Sequence, residues 1–151
     1  DDQGNIYFTS IGAKLTPTEE DKDGYLGVIP YGSTEPKKIT DVDTLNAPKG
    51  LLYKDGFLYC TDISMVYKID AKTGAIEGYV DLSPSRMKFL NDLAFINGRL
   101  MVSSTDTDQI LRGYGIQILR GAGDQTAHPQ AERPGLGPGK KSHLRLRIRH
   151  R

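Results

Sequence analysis

Cysteine is almost missing from this sequence, and histidine is missing from most of it. The single cysteine, Cys60, excludes an internal disulfide framework and any zinc site built from several cysteines. All three histidines, His128, His143 and His150, lie beyond residue 112. A Ser-His-Asp or Cys-His constellation therefore has no histidine to draw on within residues 1–112. No apolar run approaches the roughly 18 residues of a membrane-spanning helix, so no membrane partner is expected. An excess of one charge is lacking too: twenty Lys and Arg face nineteen Asp and Glu, a net of +1. The balance hides a split. Residues 1–112 hold twelve basic and seventeen acidic side chains, a net of −5, whereas residues 113–151 hold eight and two, a net of +6. Glycine is plentiful: its seventeen residues exceed the usual share of about 7%, which implies many turns.

Those glycines are placed periodically. Three segments share one pattern, a turn ending in glycine, then a short strand, then small polar residues: Gly4-Asn-Ile-Tyr-Phe-Thr-Ser10, Gly56-Phe-Leu-Tyr-Cys-Thr-Asp62 and Gly98-Arg-Leu-Met-Val-Ser-Ser104. The glycines are 52 and 42 residues apart. Two and four residues after each glycine stands an apolar side chain: Ile6 and Phe8, Leu58 and Cys60, Leu100 and Val102. A period of two puts all six on one face of equivalent β-strands. The segments are too short, and the spacing wrong, for helices.

The middle unit reads as four strands. Leu51–Tyr53 leads into the Asp55-Gly56 hairpin turn and a second strand, Phe57–Cys60. Val66–Ile69 is the third; Asp70-Ala-Lys-Thr-Gly74 turns the chain into the fourth, Ala75–Leu82. The next unit restarts with Leu93-Ala94-Phe95, the Asn97-Gly98 turn, Leu100–Val102 and Gln109–Leu111. Four short antiparallel strands recurring every ~40–45 residues mark a β-propeller blade, with a two-sheet sandwich as the rival. The fold class expected is all-β: a partial β-propeller of about two and a half blades over residues 1–112. The first unit is longer because Ile11–Asp23 is inserted, and Thr16-Pro17-Thr18-Glu19 within it reads as one helical turn. Asp21-Lys-Asp23-Gly24 fails as an EF-hand loop, since Tyr25, Leu26 and Gly32 occupy the fifth, sixth and twelfth positions.

Residues 113–151 abandon the pattern. The third unit should continue into a turn and a fourth strand; instead come Gly121-Ala-Gly123, Arg133-Pro-Gly-Leu-Gly-Pro-Gly139 and a run ending Leu-Arg-Ile-Arg-His-Arg151. Such composition buries no core and reads as a disordered basic tail. The rival origin is a reading-frame shift or foreign sequence joined near Arg112, and the abrupt loss of pattern inside a unit favours it. Nucleic-acid binding would rest on this tail alone, and the −5 charge of residues 1–112 argues against it.

Two stretches are more specific than a generic blade. Leu45-Asn-Ala-Pro-Lys-Gly-Leu51 precedes the Gly56 strand, and Lys88-Phe-Leu-Asn-Asp-Leu-Ala94 precedes the Gly98 strand. Over residues 2–112 the chain resembles the senescence marker protein/gluconolactonase/regucalcin-like propeller superfamily, particularly an extracytoplasmic bacterial branch. The resemblance implies six blades around a channel lined by the first strand of each blade. It implies divalent-metal-dependent hydrolysis of a small lactone or ester, with Ca²⁺ or Zn²⁺ held by Glu, Asn and Asp on different blades. It also implies an exported location, the periplasm or the cell exterior.

Of that ligand set only Asn91 matches, followed by Asp92, and these two are the candidate metal residues; at an offset of 42 they correspond to Lys49 and Gly50. The family's glutamate would precede residue 1 and its catalytic aspartate would follow Arg112, so no catalytic residue is assigned here and the metal site is incomplete. Two readings stay open for Asn91-Asp92: ion ligands, or a strand-entry turn whose side chains bond nearby backbone. Lys49 reads as a solvated lysine, Asp62 and Asp106 as carboxylates that stabilise turns, and Cys60 as a small buried hydrophobe. Tyr7, Tyr53, Tyr59 and Tyr67 read as filling between blades. The rival function is a non-catalytic propeller that binds a ligand or a protein. An incomplete ring leaves blade faces and edges open, so the chain alone is expected to self-associate and to lack turnover.

Overall fold

Paired residues with positive φ at Asx-Gly steps set two of the two-residue hairpins. A computed structural model describes residues 1–40 and 44–112 of the chain. In it β4 (Pro48–Lys54) turns into β5 (Phe57–Asp62) through Asp55 (φ 51°) and Gly56 (φ 82°). β8 (Leu90–Ile96) turns into β9 (Arg99–Ser104) through Asn97 (φ 51°) and Gly98 (φ 71°). Two consecutive left-handed residues give the primed turn whose twist matches that of the flanking strands. The turn after β6 (Met65–Asp70) is closed differently. There Asp70 Oδ1 accepts the Lys72 and Thr73 amides and the Thr73 hydroxyl before β7 (Ile76–Asp81) begins.

The strands make three antiparallel sheets. β1 (Ile6–Ser10), β2 (Tyr25–Ile29) and β3 (Lys37–Lys38) form the first, in the order β1-β2-β3. The second is β4-β5-β6-β7, and the third is β8-β9-β10, with β10 spanning Gln109–Arg112. The expected all-β class is observed, and β5 and β9 belong to different sheets. Among the described residues, one 3₁₀ turn at Ser83–Ser85 is the helical content. In the second and third sheets each strand runs one to three residues beyond the apolar core read from sequence, except β7, which starts and ends one residue inside its expected bounds; β2 and β3 of the first sheet were not read from sequence.

Register shows how the units correspond. The Ile6–Ile29 pair in the first sheet matches the Leu58–Ile69 pair in the second, so β1 is the counterpart of β5 rather than of β4. In the third sheet β8, β9 and β10 match β4, β5 and β6.

The second sheet lies between the other two. On one side Leu58, Cys60 and Ile69 pack with Leu26 and Leu45 of the first unit, and the Tyr7 and Tyr53 rings stack at 5.9 Å. On the other side Tyr59 meets Phe95 edge-to-face at 5.1 Å, and the Leu90 amide donates to the Ile63 carbonyl. Phe95 shares its face with Leu100, the residue paired with it across the strands, and Val102 follows on that face. Leu58, Cys60 and Leu90 are fully buried, and Leu100 and Val102 nearly so.

The shared face of the repeats does not bring equal burial, and the helical turn expected in the inserted segment is corrected. Ile6 does not share the burial of its counterparts: it is 61% exposed where Leu58 is 0%, because nothing among the described residues covers that face of the first sheet. Thr16–Glu19 is no helical turn. It closes through one bond, Glu19 amide to Thr16 carbonyl at 3.3 Å, and the buried Thr16 hydroxyl finds no partner, so it caps nothing. A lone first bond fixes three residues for little return, and no further bond follows to propagate a helix. The expectations placed on residues 113–151 lie outside the described residues.

Candidate functional site

The two strand entries singled out by sequence share an irregularity. Pairing of β4 with β5 slips between Pro48 and Leu51, and pairing of β8 with β9 slips between Leu90 and Leu93. The slips enclose Lys49-Gly50 and Asn91-Asp92, which are 42 residues apart. Asn91-Asp92 is therefore a bulge inside β8, not a turn before it. A bulge leaves backbone groups out of the ladder and re-aims side chains. Both Asn91 and Asp92 are exposed.

The groups freed by each bulge are taken up by hydroxyls. Thr61 Oγ1 accepts the Gly50 amide at 2.8 Å and donates to the Asn91 carbonyl at 2.7 Å. Ser103 Oγ accepts the Asp92 amide at 2.9 Å, and Thr9 Oγ1 donates to the Lys49 carbonyl at 2.9 Å. Thr9, Thr61 and Ser103 stand at the same position of the three glycine-led repeats. Each accepting hydroxyl binds the entry strand of its own sheet, and each donating hydroxyl binds the entry strand of the next. Sequence reasoning passed over this row. Its signal was the recurrent Thr or Ser five residues after each repeat glycine. Gly50 is required where the bulges meet, since a Cβ there would collide with the Asn91 carbonyl and the Asp92 Cα.

Lys49 is corrected from a solvated lysine to a clasp. Its Nζ donates to the Pro17 carbonyl at 2.7 Å and to the Ala47 carbonyl at 2.8 Å, and lies 5.1 Å from the centre of the Phe89 ring. Half-burial holds its ammonium below the ordinary lysine range, against the pull of nearby Asp62. Through Pro17 it ties the inserted segment to the β4 entry, where the Asn46 side chain also accepts the Lys22 amide.

Asp62 and Asp106 behave as expected. Asp62, 0% exposed, accepts the Asn46 amide at 2.8 Å and the Ala47 amide at 2.7 Å. Burial pushes its carboxyl above the ordinary range, although those two amides and Lys49 favour the anion. Asp106 accepts the Lys88 amide and the Ser104 hydroxyl; it is exposed, and the Ser104 bond leads in holding its carboxyl below the ordinary range. Asp106 stands two residues further along than the position matching Asp62, because the β9–β10 loop is two residues longer than the β5–β6 loop. Cys60 is buried, which pushes its thiol far above the reactive range. Tyr7, Tyr53, Tyr59 and Tyr67 fill space between sheets; Tyr67, paired with Cys60, packs against the core cluster that includes Leu26 and Leu45, lies beside Tyr79, and is pushed up to about 12 by burial.

As a cation site the row is sparse. Asn91 and Asp92 offer an amide oxygen and a carboxylate, and among the described residues no three His, Cys, Asp or Glu side chains come together. A hard cation takes about six to eight oxygens, so most of its shell would come from elsewhere. Among those residues no helix is long and apolar enough to cross a membrane. No family model and no curated protein matches the chain.

Proposed function

We propose that residues 1–112 are consecutive blades of a gluconolactonase-like β-propeller, with the bulge row lining its channel. The parent activity in this reading is divalent-metal-dependent hydrolysis of a small lactone or ester, at an exported location. The observation that carries it is the repeated entry bulge. Successive sheets, stacked face to face, present Lys49-Gly50 and then Asn91-Asp92 at one register position. That recurrence is what a ring of blades needs to aim one side chain per blade at a common axis.

Asn91 would supply one oxygen to the ion, and Asp92 a neighbouring carboxylate. The ion, when bound, polarises a carbonyl and acidifies a water. Thr61 and Ser103 hold the bulge backbone and so fix where Asn91 points. With one or two protein ligands from these sheets, the chain should bind Ca²⁺ or Zn²⁺ no more tightly than about millimolar and show no lactone turnover. Titration followed by NMR tests this. Cation-induced shifts centred on the Asn91 side-chain amide, abolished by Asn91→Ala, support the reading; shifts elsewhere, or none at tens of millimolar cation, sink the metal role. Saturable aldonolactone binding at this row that needs no cation would favour the non-catalytic, ligand-binding alternative.

A further inference from the structure

We infer that the chain associates head to tail, with the outer face of the third sheet in one copy covered by the outer face of the first sheet in the next. The inference rests on the stacking of the sheets and not on the lactone reading. Each sheet has one face toward the sheet before it and one toward the sheet after. Leu58 and Ile69, a cross-strand pair on the forward-looking face of the second sheet, are both 0% exposed against the first sheet. Their counterparts are the Ile6–Ile29 pair, and there Ile6 is 61% exposed.

The other end of the stack mirrors this. Val66 pairs with Thr61 on the face that the third sheet covers, and is 3% exposed. The counterpart pair in the third sheet is Ile110–Ser103, and there Ile110 is 72% exposed. On the same face Ile96 is 54% exposed; its counterpart in the second sheet is Lys54, also exposed, whose ammonium lies 5.6 Å from the centre of the Phe95 ring.

At Ile6 and at Ile110 the two ends therefore show apolar side chains at positions the repeat buries elsewhere, and the two ends are of opposite kind. One is a leading face without a sheet before it among the described residues, the other a trailing face without a sheet after it. The occupant that continues the observed interface is a second copy of this chain, presenting Ile6 and Ile29 to Ile110. Such contact is heterologous, so it closes into a ring or runs on as a filament according to the rotation per copy.

Two variants of the full chain test it by sedimentation velocity. Ile6→Lys blocks the leading face and Ile110→Lys the trailing face; both residues are exposed, so each variant should stay folded and melt like the parent at concentrations where the parent is monomeric. The parent chain should associate with rising concentration, and each variant alone should be monomeric. An equimolar mixture should give a one-to-one dimer and nothing larger, since each variant keeps one free face of opposite kind. A parent chain that stays monomeric at every concentration overturns the inference. So does either variant associating as strongly as the parent, as an isologous contact would allow, or a mixture that remains monomeric.

Discussion

The Thr61 hydroxyl donates to the Asn91 carbonyl at 2.7 Å while accepting the Gly50 amide at 2.8 Å, so one side chain joins the entry bulges of two successive sheets. Thr61 is fully buried, and both backbone groups it serves lie outside the strand ladders. Thr61→Val keeps the shape and removes the hydroxyl, leaving both groups unpaired and lowering stability by about 2–4 kcal/mol. Thr61→Ser keeps both bonds and should lose less than about 1 kcal/mol. Chemical denaturation of the two variants checks this. Equal losses would show that the methyl group, not the hydroxyl, matters at this position.

Gly50 and Gly98 should respond to alanine for different reasons. At Gly50 the obstacle is the backbone of the neighbouring bulge, which cannot step aside, and Gly50→Ala should lose about 2–3 kcal/mol. At Gly98 a Cβ meets open space, and the penalty is the φ of 71°, about 1 kcal/mol. Thermal unfolding should rank Gly50→Ala below Gly98→Ala. The reverse order would contradict the close approach of the bulges.

Asp62 and Asp106 do similar work in different surroundings, and acid should separate them. The raised carboxyl of Asp62 binds its proton more readily in the folded state. Its contribution is therefore full below the unfolded value of about 3.9 and falls as pH rises from there through the folded value. Asp106 has the opposite sign: its contribution is present above about 3.9 and is lost as pH falls through its lowered folded value. Unfolding measured across this range should show the parent gaining on Asp62→Asn as pH drops, and losing its lead over Asp106→Asn. Parallel slopes for the two would contradict the environments described. At neutral pH, Asp62→Ala leaves two amides without their acceptor and should lose about 2–4 kcal/mol, Asp106→Ala about 1 kcal/mol.

Lys49 holds the inserted segment through the Pro17 carbonyl. Lys49→Met keeps the apolar stem but removes both donors, at about 1–2 kcal/mol. Trypsin should then cut faster after Lys14 or Lys22 while the sheets stay intact by circular dichroism. Unchanged cleavage would mean that the Lys22–Asn46 bond and local packing hold the segment without Lys49.

Local chemistry wrote much of this fold into the sequence. The alternation of Leu58 with Cys60 and of Leu100 with Val102, bounded by Asp55-Gly56 and Asn97-Gly98, sufficed to place β4, β5, β8 and β9, because period-two burial and left-handed turn residues act over a few positions. The same reading gave Asp62, Asp106 and Cys60 their roles. Whether a face is covered is decided by neighbours far along the chain, so Ile6 and Leu58 look alike in sequence and differ by 61% in exposure. The bulges at Lys49-Gly50 and Asn91-Asp92 were equally invisible, since a one-residue slip depends on register with a partner strand. Lys49 shows the same limit. Its charge is plain in the sequence, but only the fold brings the Pro17 carbonyl 2.7 Å from its ammonium and turns a surface lysine into a clasp.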